Sequence, residues 1–128
     1  MMRFDHLVVV RGGGDIGSGV IWRLRRVGFP VVVLELERPL SVRRSVSFSS
    51  AVTEGEIEIE GIRGVSANSP METEAIAGRG DVPVLTSETI PAFLTTPSVI
   101  VDARLAKRNI DTAITDAPLV IAIGPGFE

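Results

Sequence analysis

Gly12, Gly14 and Gly17 stand at the spacing G-x-G-x-x-G, directly after the apolar run Leu7 to Val10 and directly before a helical pattern. In such a strand–turn–helix the first glycine makes the tight turn. The second lets backbone approach a pyrophosphate, and the third lets the helix pack close on the strand. The helix start offers N–H groups and a positive dipole end to phosphates. The whole turn, Gly12, Gly13, Gly14, Asp15, Ile16 and Gly17, is therefore the candidate ligand cradle. No Gly-Lys-Ser/Thr follows, so it is not a phosphate loop of the nucleotide-hydrolase kind. Asp15 is the discordant member. A carboxylate beside a pyrophosphate repels it by about 1 kcal/mol in water-like surroundings and by more when buried. Asp15 could instead cap the helix, or meet a sugar, a metal-bridged phosphate or a non-phosphate group.

Other polar residues fall at the strand ends that would surround this turn. Glu35 lies 23 residues after Gly12, at the end of a second apolar run, where an acid accepts ribose hydroxyl bonds in NAD sites; a plain surface Glu is the alternative, and Glu37 competes for the role. Arg43 and Arg44 could fork onto a phosphate or form a solvated turn. Asp102, Arg104, Lys107, Arg108 and Asn109 follow a later strand. Asp102 and Lys107 could move protons there, or the group could be a salt-bridged loop. His6 is the only histidine and there is no cysteine, so nucleophilic catalysis and transition-metal sites have little material to work with.

The elements that must position these residues are legible in the periodicity. Leu7 to Val10, Val31 to Leu36, Asp81 to Leu85, Ser98 to Val101 and Pro118 to Ile123 read as core strands. Asp15 to Val27 reads as a helix with an apolar stripe of Ile16, Val20, Leu24 and Val27, closed by Gly28. Trp22 lies opposite that stripe, which suits a partner contact or a ring lying flat on a loop. Ser41 could cap a short turn in the irregular stretch Pro39 to Ser50. Residues 56–66 read as a hairpin insertion, with Ile57 and Ile59 facing one way and three glutamates the other. Met71 to Ala77 is a helix with Ser69 as cap and Pro70 in first position, and Ser87 to Leu94 a second short one. The sum is an α/β, Rossmann-like domain, a mostly parallel sheet of about five core strands with a small hairpin insertion.

The chain has 128 residues, 45% of them hydrophobic, with mean hydropathy +0.32 and net charge −3, which suits one folded domain. No basic stripe suggests nucleic acid, and no apolar run reaches roughly 18 residues, so neither nucleic acid nor membrane is an expected partner and a cytoplasmic location is expected. Lys107 is the only lysine and Gln is absent. Scarce amides suit a thermophile, and a GC-rich genome explains the arginine bias equally well. The strand leading into Gly124-Pro125-Gly126 has no covering helix after it, so a fragment or a covering partner is expected.

Four motifs occur in order: Val-Val-Arg-Gly-Gly-Gly-Asp-Ile-Gly-Ser-Gly, Arg-Pro-Leu-Ser-Val-Arg-Arg-Ser-Val-Ser-Phe, Val-Asp-Ala-Arg-Leu-Ala-Lys-Arg-Asn, and Ala-Pro-Leu-Val-Ile-Ala-Ile-Gly-Pro-Gly-Phe. Together they resemble the YqeB-type accessory proteins of selenium-dependent molybdenum hydroxylase systems, over nearly the whole chain. The resemblance implies a Rossmann-like fold and kinship with the XdhC-like proteins that handle molybdenum cofactor. It also implies a maturation role with a molybdenum hydroxylase or other maturation proteins as partners. Its matching polar positions are Asp15, Arg43, Arg44, Asp102, Arg104, Lys107 and Asn109. That family's chains continue past the last motif, so this one is expected to be the N-terminal half of a longer chain. The expected ligand is a nucleotide or molybdenum cofactor of the molybdopterin type. An NAD- or NADP-dependent oxidoreductase and a non-catalytic interaction module are the alternatives, with a second copy of the chain as a candidate partner.

Overall fold

The computed structural model describes residues 6–37, 39, 44–87, 89–94, 97–104, 112 and 116–123. Four consecutive buried residues, Val8–Arg11, form strand β1, and Val31–Glu35 form β2 beside it in parallel. Valine runs with no polar alternation cannot rest on a half-solvated sheet. Here both faces are covered. Val8, Val10 and Val33 pack with Ile21 of the helix α1 (Asp15–Arg26), while Val9, Val32 and Leu34 pack on the other face with Ile76 of the helix α3 (Pro70–Gly78). Ser69 caps α3, its side chain accepting the Glu72 N–H at 3.1 Å, and Pro70 stands in the first turn as expected.

Between β2 and α3 lie a 3-10 turn at Arg44–Val46, a short helix α2 (Ser50–Glu54), and strands β3 (Glu56–Ile59) and β4 (Ile62–Ala67). Strands β5 (Val82–Thr86), β6 (Val99–Asp102) and β7 (Leu119–Ala122) complete one seven-stranded sheet in the order β3-β4-β5-β2-β1-β6-β7. All neighbours are parallel except β3, which is antiparallel to β4. The five strands β5-β2-β1-β6-β7 have the order 3-2-1-4-5 of a doubly wound, Rossmann-like sheet, with α1 on one face and α3 on the other.

The expectation of about five strands with an inserted hairpin is corrected in one respect. The hairpin is not an appendage. β4 pairs in parallel with β5, from Gly64 opposite Val82 to Ala67 opposite Leu85, and extends the main sheet to seven strands. The glutamates of β3 face out at its edge, where charge blocks further pairing. Gly64 makes the docking possible. A Cβ there would lie 2.7 Å from Cδ1 of the fully buried Phe48. Gly64→Ala is therefore expected to cost about 1–3 kcal/mol despite better strand propensity; an unchanged thermal midpoint would show that Phe48 does not pack there.

Three local expectations also change. The stripe of α1 holds only in its middle: Val20 and Leu24 pack against the core beside the buried Gly17, Ser18 and Ile21, whereas Ile16 is 47% and Val27 64% exposed. Small residues face the sheet because the helix start approaches it too closely for large ones. Trp22 is half-buried on the chain itself, its Nε1–H donating to the Glu60 carbonyl at 3.3 Å with Arg26 over its ring. Residues 89–94 form no helix; the Pro91 carbonyl accepts the Leu94 N–H to close a single turn, and Ile90, Phe93 and Leu94 pack against the α3-side core. Ser41 and residues 124–126 lie outside the described residues.

Candidate functional site

β1 sits at the switch in strand order. The chain runs from it to β2 on one side, and only returns to its other side with β6. Ligands of open α/β sheets bind in the crevice beyond the carboxyl ends at such a point. Here that crevice is lined by Gly12 after β1 and by Ala103 and Arg104 after β6. A Cβ on Gly12 would lie 3.2 Å from the Ala103 carbonyl and the Arg104 nitrogen. Gly12 also has φ +96°, in the left-handed region that favours glycine.

The three motif glycines play three different parts. Gly12 turns the chain. Gly17 brings α1 onto the turn, so closely that a Cβ would lie 2.0 Å from the Gly12 carbonyl oxygen. Gly14 is needed for neither purpose. Its φ of −75° suits any residue, and nothing lies within 4 Å of where its Cβ would be. It is the N-cap of α1 and supplies no side-chain cap, so the first-turn N–H groups that follow it have no helical acceptor. The intervening Gly13 is covered: a Cβ there would lie 3.0 Å from the Ser49 nitrogen and 3.2 Å from Val33 Cγ1.

Glu35 reaches this turn, as the spacing predicts. Its Oε2 accepts the Gly13 N–H at 2.7 Å and its Oε1 accepts the Leu36 N–H at 2.8 Å. The carboxylate thus braces the glycine backbone from the end of β2. Each oxygen keeps a further lone pair for a donor such as a sugar hydroxyl.

A serine-rich segment that sequence reasoning did not single out forms another wall. The Ser49 N–H donates to the Gly13 carbonyl at 2.9 Å. The Phe48 N–H donates to the Ser18 hydroxyl at 2.8 Å, and that hydroxyl donates to the Gly13 carbonyl at 2.9 Å. The Ser47 hydroxyl donates to Asp15 Oδ1 at 3.0 Å. Asp15 is exposed in the first helical turn rather than at the cap, so the capping role considered for it is not the one it has. Its carboxylate is turned to Ser47. The sequence signals for this wall are the density of serines at 45–50, which by itself reads as a loop, and the end of the second motif, Ser45 to Phe48.

The second polar centre is buried under the β6 end. Asp102 is 0% exposed and pairs in register with Arg11, which is 3% exposed. The Arg104 Nε and Nη2 donate to Asp102 at 2.9 and 2.5 Å, and its backbone N–H does so at 3.2 Å. Burial pushes the Asp102 carboxyl up, but the hydrogen bonds from Arg104 and Thr112 outweigh it and hold the group below the usual carboxylate range. Arg11 and Thr112 were not anticipated. They are 101 residues apart and meet only through the fold.

Of the remaining anticipated residues, Ile16 flanks the turn with its side chain partly in solvent, and Arg44 opens the 3-10 turn leading to the serine segment. Arg43, Lys107 and Asn109 lie outside the described residues. Among the described residues there is no group of three or more His, Asp or Glu side chains placed to hold a metal, and no helix is long and apolar enough to cross a membrane.

Comparison with known proteins gives one informative likeness. The chain is 43% identical to the uncharacterized protein YqeB of Escherichia coli (strain K12) over an alignment of 133 positions that takes in 99% of this chain and 25% of YqeB. The chain thus spans about a quarter of the length of the curated relative it matches. No protein-family model matches it, and no solved structure matches it significantly. The likeness runs over the whole of this chain.

Proposed function

We propose, from this kinship and the glycine turn, that the chain is a ligand-binding accessory domain. It would take a nucleotide or the nucleotide-bearing form of molybdenum cofactor as cargo and serve the maturation of selenium-dependent molybdenum hydroxylases. The observation that carries the binding part is Gly14. The fold explains why Gly12 and Gly17 lack side chains, but it does not explain Gly14, whose open face lies at the start of α1. A phosphate approaching backbone N–H groups there does explain it. The residues suit the phosphate end of such a cargo: N–H donors at the start of α1, and Glu35 for a hydroxyl. The molybdenum hydroxylase role rests on the four ordered motifs, and a hydroxylase or another maturation protein is the partner this reading requires.

Gly14→Val tests the reading directly. A Cβ there has nothing within 4 Å, and Val for Gly at an N-cap costs about 1 kcal/mol, so the thermal midpoint should fall by no more than several degrees. Calorimetric binding of CDP, ADP or a pterin cytosine dinucleotide should weaken by a factor of about 100 or vanish. Wild-type protein that binds none of them would overturn the ligand part.

A second reading is an NAD- or NADP-dependent oxidoreductase, favoured by Glu35 standing at the end of β2 against the turn. It expects NAD to bind more tightly than the nucleoside diphosphates. The same calorimetric panel with NAD and NADP added separates the two.

A further inference from the structure

Resting on the phosphate reading above, we infer that Ser18 is a positioning residue of the site: its hydroxyl holds the peptide between Gly13 and Gly14 in the orientation that turns the Gly14 N–H, and not the Gly13 carbonyl, toward the anion. The Gly13 carbonyl has two lone pairs, and both have donors. The Ser18 hydroxyl donates to it at 2.9 Å and the Ser49 N–H at 2.9 Å. The hydroxyl is itself held, because it accepts the Phe48 N–H at 2.8 Å. Phe48 and Ser49 are fully buried and Ser18 nearly so, so water does not compete for these bonds.

Peptide planarity carries the consequence. The bond between Gly13 and Gly14 is trans, so the Gly14 N–H is directed opposite to the Gly13 carbonyl. It points away from Ser18 and Ser49. Ser49 stands on the β2 side of the turn with Val33, whereas Ala103 stands on the β6 side. Among the described residues none accepts this N–H, and nothing lies within 4 Å of the Cβ position next to it. The planes on either side are fixed separately: the Gly13 N–H by Glu35, and the Gly14 carbonyl by the Ser18 N–H at 2.8 Å. The plane between them is the freest in the turn. Turning it over needs a left-handed φ at residue 14, which glycine adopts readily. A reversed plane would set a carbonyl oxygen where the N–H now stands and repel an anion there. Ser18 thus decides whether this part of the turn receives phosphate or rejects it. The role also explains why a hydroxyl stands at a buried position of α1, where alanine is the better helix former.

The test compares Ser18→Ala, which removes the hydroxyl, with Thr73→Val. The second variant deletes a like hydroxyl-to-carbonyl bond, 2.8 Å to Ser69, in α3 on the other face of the sheet. Two readouts are taken on the full chain: calorimetric binding of CDP and inorganic pyrophosphate, and the Gly14 amide resonance as pyrophosphate is added. In wild type and in Thr73→Val the Gly14 proton should move downfield, with affinities equal to within about twofold. In Ser18→Ala both probes should bind about tenfold more weakly, and the Gly14 proton should no longer move. Ser18→Ala that binds as tightly as wild type overturns the role of Ser18 and leaves the phosphate reading standing. Thr73→Val that loses as much affinity as Ser18→Ala assigns the loss to stability and overturns that role too. Wild type that binds neither probe overturns the phosphate reading, and the purpose assigned to Ser18 with it. Should Ser18→Ala fail to fold, the wild-type titration decides alone: a Gly14 proton that stays in place while the N–H groups of residues 15–17 respond overturns the inference.

Discussion

Gly17→Ala is expected to lose at least about 3 kcal/mol of stability, a large part of what holds a domain of this size together. The added methyl would lie 2.0 Å from the Gly12 carbonyl oxygen and 3.0 Å from the carbonyl carbon. Both are backbone atoms, so no side chain can swing aside. Relief requires α1 to lift from the turn, and α1 carries Ile21 into the core under Val8 and Val10. The Gly12 turn cannot retreat either, because Ala103 stands behind it and its own φ is +96°. A thermal midpoint lowered by about 10 °C or more, or failure to accumulate folded protein, is the expected result. A Gly17→Ala protein that melts like wild type would mean that α1 does not approach β1 as described. Set beside Gly14→Val, which should fold and not bind, the pair separates the glycine the fold needs from the glycine the ligand needs.

Asp102→Ala should be comparably severe, at about 3–5 kcal/mol near neutral pH, because it removes one side of a buried ion pair and leaves the other in place. Arg104 loses both carboxylate bonds and Thr112 loses the acceptor of its proton. The pH dependence has a defined sign. The folded-state carboxyl is held below its usual range, so its contribution is fully present above the unfolded pKa of about 3.9. It is lost as pH falls through the lower folded value. Denaturant titrations of wild type and Asp102→Ala should therefore differ most at pH 6–7 and converge in strong acid. A gap that is constant across this range would assign the loss to packing instead of charge.

How far the sequence reaches is clearest in particular residues. β1, α1, β2 and α3 were legible because each is a short-range pattern: a valine run, a glycine turn, a Ser-Pro helix start. The nearness of Glu35 to the turn is legible because its distance from Gly12 is set by one helix and one strand; that its carboxylate braces the Gly13 N–H is not. α2 was not visible, since Ser-Ala-Val-Thr-Glu is too short and too rich in β-branched residues to stand out from a loop. The helix expected at Ser87 to Leu94 fails at Pro91, where local composition lost to packing of Ile90 and Phe93. The burial pattern at the start of α1 was hidden because it follows closeness to the sheet, which favours Gly17 and Ser18 over Ile16. Arg11 and Thr112 could not be joined from the sequence at all. Only the placement of β6 beside β1 brings them together.

That placement also bears on when the site comes into being as the chain emerges from the ribosome. β1 gains its first neighbour from residues 31–35, within one short crossover, but its second only from residues 99–102. Until then Gly12 has no wall, Arg11 has no carboxylate across from it, and the valines of β1 lack one flank. Closing this last contact carries the largest loop-closure cost of any strand pair around β1. The glycine turn is thus among the earliest parts of the molecule to be made and among the last to become able to hold anything.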